Sequence, residues 1–111
     1  MSQDDITREE LVEIALFRLP RPYTPEVTLH VFCEIERTPR LLRAYERLTG
    51  EYGKNQLNQW IGQAVKDMLG AESSGQMDYV ADVCEIVKWP SRLVNIDPDI
   101  QSAKKLLKLV G

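Results

Sequence analysis

The chain has 111 residues, of which 43% are apolar and 28% charged, and its net charge is −3. That balance suits a folded domain and is too apolar for a disordered chain. The length is enough to bury roughly two-thirds of the unfolded surface without metal or disulfides, and no apolar run approaches the ~20 residues of a membrane span.

The charge is unevenly spread. Residues 1 to 36 carry three basic and eight acidic side chains, residues 37 to 70 six and three, and residues 71 to 111 five and six. A basic island in an acidic chain points to a polar partner in the middle and argues against non-specific nucleic-acid binding by the whole molecule. The acidic opening Met1-Ser2-Gln3-Asp4-Asp5 lacks the basic region of a signal peptide, so the expected location is cytoplasmic. Cys33 and Cys84 show no C-x-x-C spacing and read as two buried thiols.

In chain order, Met1 to Ile6 reads as a flexible tail, and residues 7 to 111 as one helical domain. Thr7 and Glu10 have capping-box spacing, which predicts a helix. Leu11, Ile14 and Ala15 continue its apolar face, widened by Leu16 and Phe17, until Pro20 ends it. Pro20-Arg21-Pro22-Tyr23 is an extended connector. Thr24-Pro25-Glu26 is a helix opening, and Val27, Val31 and Ile35 repeat at helical spacing. The alternation of Val27, Leu29, Val31, Cys33 and Ile35 also suits a strand. A helix is preferred because a lone strand has no evident partner.

Thr38 to Leu69 is the most organised stretch. Thr38 is placed to cap and Pro39 to open a helix whose face is Leu41, Tyr45, Leu48 and Tyr52. Gly53 ends that helix, and Asn55 is placed to cap the next after a turn of about three residues. Leu57, Ile61, Ala64 and Met68 form the second face, flanked by Trp60 and Val65. Gly70 to Gln76 has loop composition. Residues 77 to 89 read as a helix capped by Asp78, with a strand over Val83 to Trp89 as the alternative, and Trp89-Pro90 ends it. Asp97-Pro98-Asp99 opens a last helix with Ile100, Ala103, Leu107 and Val110 on one face and Lys104, Lys105 and Lys108 opposite. The expected fold is all-α, about five helices around the central hairpin.

Three constellations are candidates for function. Arg40, Arg43 and Arg47 share a narrow arc opposite the apolar stripe of the first hairpin helix, and Gln56, Gln59, Gln63 and Lys66 share the outward face of the second. Arginines suit phosphates, and glutamine reaches adenine in the major groove. Over about a third of the chain the hairpin resembles helix-turn-helix proteins in geometry, without a diagnostic motif, and that resemblance implies nucleic-acid binding. Trp60 and Trp89 are candidate protein-interface anchors, since tryptophan dominates binding hot spots. His30, Cys33 and Glu34 fall within one helical turn, but three groups without a fourth ligand make an incomplete metal set, and the simpler expectation is His30 paired with Glu34.

No phosphate loop is present, because Gly50-Glu51-Tyr52-Gly53-Lys54 lacks the required spacing. No serine triad can be assembled with confidence around a single histidine. Nothing in the sequence calls for a cofactor. The expected function is therefore a non-catalytic protein-interaction or regulatory module, with a protein partner or a second copy of the chain as its target. Nucleic-acid binding by the hairpin is the alternative, and a small enzyme or metal site around His30 is a further one.

Overall fold

Thr7 and Glu10 start the first helix as their spacing predicts. The Thr7 hydroxyl accepts from the Glu10 amide at 3.1 Å, and the Glu10 carboxylate accepts from the Thr7 amide at 3.1 Å. The computed structural model describes residues 6–77 and 84–101. Within them the element order is α1 (Arg8–Arg18), α2 (Val27–Arg37), α3 (Pro39–Tyr52), α4 (Lys54–Met68), β1 (Glu72–Met77), β2 (Ser91–Val94) and α5 (Pro98–Gln101). The protein is mostly helical, with a small two-stranded antiparallel sheet. Among the described residues no helix is long and apolar enough to cross a membrane.

The helical spacing of Val27, Val31 and Ile35 wins over their alternation, because α2 buries one broad face. Val27, Val31, Phe32 and Ile35 all lie in the core, whereas Leu29 and Cys33 are only half-buried. A two-fold period would have buried all of the alternating set. α1 packs on α2, α3 and α4 through Leu11, Val12, Ala15 and Leu16. Leu41, Tyr45 and Leu48 of the expected α3 stripe and Leu57, Ile61 and Ala64 of the expected α4 stripe are buried where the two helices pack, joined by Ala44 and Val65, but Tyr52 at the end of the first stripe is exposed and Met68 at the end of the second only half-buried. Each leucine, isoleucine or valine among them contributes about 1.5–3 kcal/mol on leaving water. Ile6 is also buried, and its carbonyl accepts from the Arg47 guanidinium. The rest of the expected tail lies outside the described residues.

Two details of the hairpin differ from expectation. Gly53 alone joins the helices, ending α3 at φ 83° and preceding Lys54, so Asn55 lies inside α4 and caps nothing. Only glycine adopts that conformation cheaply, and it turns the chain in one residue where about three were expected. The Thr38 hydroxyl does not cap α3 either. It donates to the Glu34 carboxylate at 3.1 Å.

That carboxylate is the polar hub of the helical layer. Glu34 is 3% exposed, and besides Thr38 it accepts from Arg18 Nε of α1 at 2.7 Å and Arg37 Nε at 2.7 Å. Burial alone would push its carboxyl group up. The hydrogen bonds from Arg18, Arg37 and Thr38 outweigh burial and hold it below the usual carboxylate range. A second tie crosses the helices where the Arg8 guanidinium lies 4.5 Å from the ring centres of both Tyr52 and Trp60.

The C-terminal third departs most from an all-α chain. Glu72 to Met77, read as loop, is β1 and pairs with β2 in the register Glu72 to Val94 and Ser73 to Leu93, irregular before Met77. Residues 84 to 89, expected in a helix, are not helical. Side chains of the helical layer take up backbone groups there, Glu36 accepting from the Glu85 amide at 3.1 Å and Asn58 donating to the Ile86 carbonyl at 2.7 Å. The remainder of that expected helix, with Asp78 as its cap, lies outside the described residues. Leu93 of β2 enters the core, and its amide donates to the Pro25 carbonyl at 3.0 Å, which seats the sheet against the start of α2. Asp97-Pro98-Asp99 opens α5 as expected, with Ile100 buried, while Ala103, Leu107, Val110 and the lysines opposite them lie outside the described residues.

Candidate functional site

α4 carries its apolar residues on the side that meets α1 and α3, so its polar face turns outward. Part of that face does not meet open solvent. The segment before β2 crosses beside it, held by a relay in which the Tyr45 hydroxyl donates to Asn58 Oδ1 at 2.6 Å and Asn58 Nδ2 donates to the Ile86 carbonyl. Between α2, α4 and the sheet lies a cavity of about 420 Å³. Gln59, Gln63 and Lys66 form its α4 wall, Thr28 and Phe32 its α2 wall, and Met77, Val87, Trp89 and Leu93 the side contributed by the sheet and the segment leading to it. Two large apolar side chains stand at its rim, Met77 being 62% and Trp89 57% exposed.

The structure thus divides the residues picked out by sequence. Gln59, Gln63, Lys66 and Trp89 converge on one cavity. Arg40, Arg43 and Arg47 are exposed on α3 and do not line it, nor does Gln56, exposed in the first turn of α4. Arg47 pairs with Glu51 at 3.7 Å as well as with Ile6, and Gln63 donates to Asp67 at 2.8 Å. Trp60 is half-buried beneath Arg8, so part of the surface it was expected to offer a partner is already covered within the chain.

His30 is exposed, and its expected partner Glu34 is buried and engaged by two arginines. Arginine wins because it brings a planar fork of donors and a permanent charge. Among the described residues no group of three His, Cys, Asp or Glu side chains is placed to hold a metal ion. Cys33 and Cys84 lie near enough for each to influence the other's thiol. Burial pushes both thiols up, Cys84 to about 11.

Sequence reasoning missed Thr28, Phe32, Met77 and Leu93 as cavity residues. Phe32 and Leu93 carry no signal beyond apolarity, and Met77 sits in a polar stretch whose strand character is invisible until β2 pairs with it. Thr28 looks like any early-helix threonine. No family model matches this chain, and no curated protein or solved structure matches it either. The fold is a small, mostly helical domain with a groove between α2, α4 and the strand pair.

Proposed function

We propose that this protein is a non-catalytic interaction module that grips a partner protein by apolar side chains at the Met77 and Trp89 rim of the groove. The observation that carries the reading is the exposure of two large apolar side chains together at the mouth of a largely apolar cavity. Exposed apolar surface gathered around a concavity is typical of recognition sites, and tryptophan and methionine are enriched there. Among the described residues Lys66 is the one charged residue lining the cavity, so an apolar contact there does not have to desolvate many charges. A cytoplasmic location is part of the same proposal, since two cysteines in no C-x-x-C spacing suit a reducing compartment.

The exposed arginines on α3 favour nucleic acid as the second reading. Peptides selected from a phage-displayed random library on the immobilised protein separate the two. The interaction reading expects enriched peptides with aliphatic or aromatic residues, whose affinity falls about tenfold or more in the Met77→Ser/Trp89→Ser variant. Peptides that bind that variant as tightly as the original chain overturn it. A mixed-sequence DNA duplex followed by fluorescence anisotropy provides the other arm. Binding that weakens steeply with salt and disappears in the Arg40→Ala/Arg43→Ala/Arg47→Ala variant puts nucleic acid in its place.

A further inference from the structure

We infer that the interior of the cavity beneath this rim is a binding site for a small organic acid with a flat apolar body. The inference does not rest on the rim having a protein partner. A volume of about 420 Å³ falls within the range of small-molecule sites, roughly 300–1,000 Å³. Phe32, Val87, Trp89 and Leu93 supply apolar and aromatic walls. Two polar residues lining the cavity point to what the ligand carries.

The first is Thr28. It is 2% exposed, and its hydroxyl has no hydrogen-bond partner among the described residues. A buried hydroxyl is costly to leave unsatisfied; Thr28 Oγ1 is covered as it stands, and a turn of the Thr28 side chain, which lines the cavity, would bring it onto a ligand oxygen. The second is Lys66, half-buried and without an ion pair among the described residues. Several other polar groups near this wall are committed, although the Gln59 amide on the same wall has no hydrogen bond to the described residues and is exposed. Asp67 accepts from Gln63 at 2.8 Å, Glu72 accepts from Asn95 at 2.7 Å, Arg92 pairs with Glu26 at 3.1 Å, and both ends of Asn58 are engaged. Lys88 is exposed. A carboxylate against the Lys66 ammonium, an apolar ring system between Phe32 and Trp89, and a hydroxyl or carbonyl oxygen at Thr28 use what the cavity leaves available.

The test is titration calorimetry of the whole chain with 6-hydroxy-2-naphthoate, 2-naphthoate and 6-hydroxy-2-naphthamide. The hydroxy acid should bind with a dissociation constant below about 1 mM, and the neutral amide about tenfold more weakly. Lys66→Met should abolish that preference while retaining binding of the amide. Thr28→Val should weaken the hydroxy acid by roughly three- to tenfold and leave 2-naphthoate unchanged. Circular dichroism establishes that both variants fold. No binding to the original chain at about 1 mM, equal affinity for acid and amide, or a preference that survives Lys66→Met overturns the inference. None of these results depends on whether a peptide binds at Met77 and Trp89.

Discussion

Replacing Glu34 by glutamine tests the polar hub on which α1, α2 and α3 converge. The substitution keeps the volume and one acceptor oxygen but turns the other oxygen into a donor. That NH₂ group must face a donor of Arg18, Arg37 or Thr38, which approach at 2.7, 2.7 and 3.1 Å. Net contributions of about 1.5–3 kcal/mol apply to hydrogen bonds with charged groups. Two corrections reduce the total. Arg18 and Arg37 are 52% and 68% exposed, so water takes over part of their hydrogen bonding when the charge is removed. The 3% exposed carboxylate also gave up much of its hydration on folding.

A loss of about 2 kcal/mol is therefore expected, corresponding to a Tm lower by roughly 6–12 °C. Urea unfolding followed by tryptophan fluorescence at pH 7 measures it. The sign with pH follows from the lowered carboxyl pKa. The folded chain holds this proton less tightly than the unfolded chain, whose carboxyl titrates near 4.3, so the stabilisation is complete well above that value. It is lost as pH falls through the lower folded value. Glu34→Gln should accordingly flatten the decline of stability between about pH 5 and 3. A variant within about 0.5 kcal/mol of the original chain at pH 7, or with an unchanged pH slope, refutes the hub.

Three further outcomes are expected. Arg8→Ala should cost about 1 kcal/mol by removing the cation between Tyr52 and Trp60, and a double-mutant cycle with Trp60→Leu should recover a coupling of about 0.5–1 kcal/mol. Gly53→Ala should cost about 1–3 kcal/mol in urea unfolding, wholly through its positive φ, because an added Cβ there meets open space. Cys84, with its thiol pushed up to about 11 chiefly by burial, should react slowly with iodoacetamide at pH 8 and rapidly in denaturant, by mass spectrometry. The raised value also means that the folded chain holds this proton more tightly, so its contribution is present below about pH 8.5 and is lost as pH rises towards about 11.

The candidate site was legible only in part. Gln56, Gln59, Gln63 and Lys66 share a helix face that follows from spacing alone, and all but Gln56 line the cavity. Their meeting with Trp89 was not readable, since 23 positions separate Trp89 from Lys66 in sequence and the intervening chain must fold back for them to converge. Spacing also suggested a pairing of His30 with Glu34 that did not form. Arg18, sixteen residues away, reaches the same carboxylate across the α1–α2 contact, and its guanidinium brings a permanent charge and a planar fork of donors.

The sequence by itself determined the helical layer, because its signals act within a few residues. Thr7 with Glu10, Pro39 at the first position of α3, and Gly53 between α3 and α4 all operate through local amides and backbone angles. Only the tertiary structure decided the strand pair. Glu72 to Met77 has no alternation of apolar residues, and five of its six side chains are exposed; its strand character comes from backbone pairing with residues about twenty positions later. The groove likewise exists because the strand pair and the segment before β2 come together with α2 and α4, and a meeting of residues so far apart in sequence leaves no periodic trace in the chain.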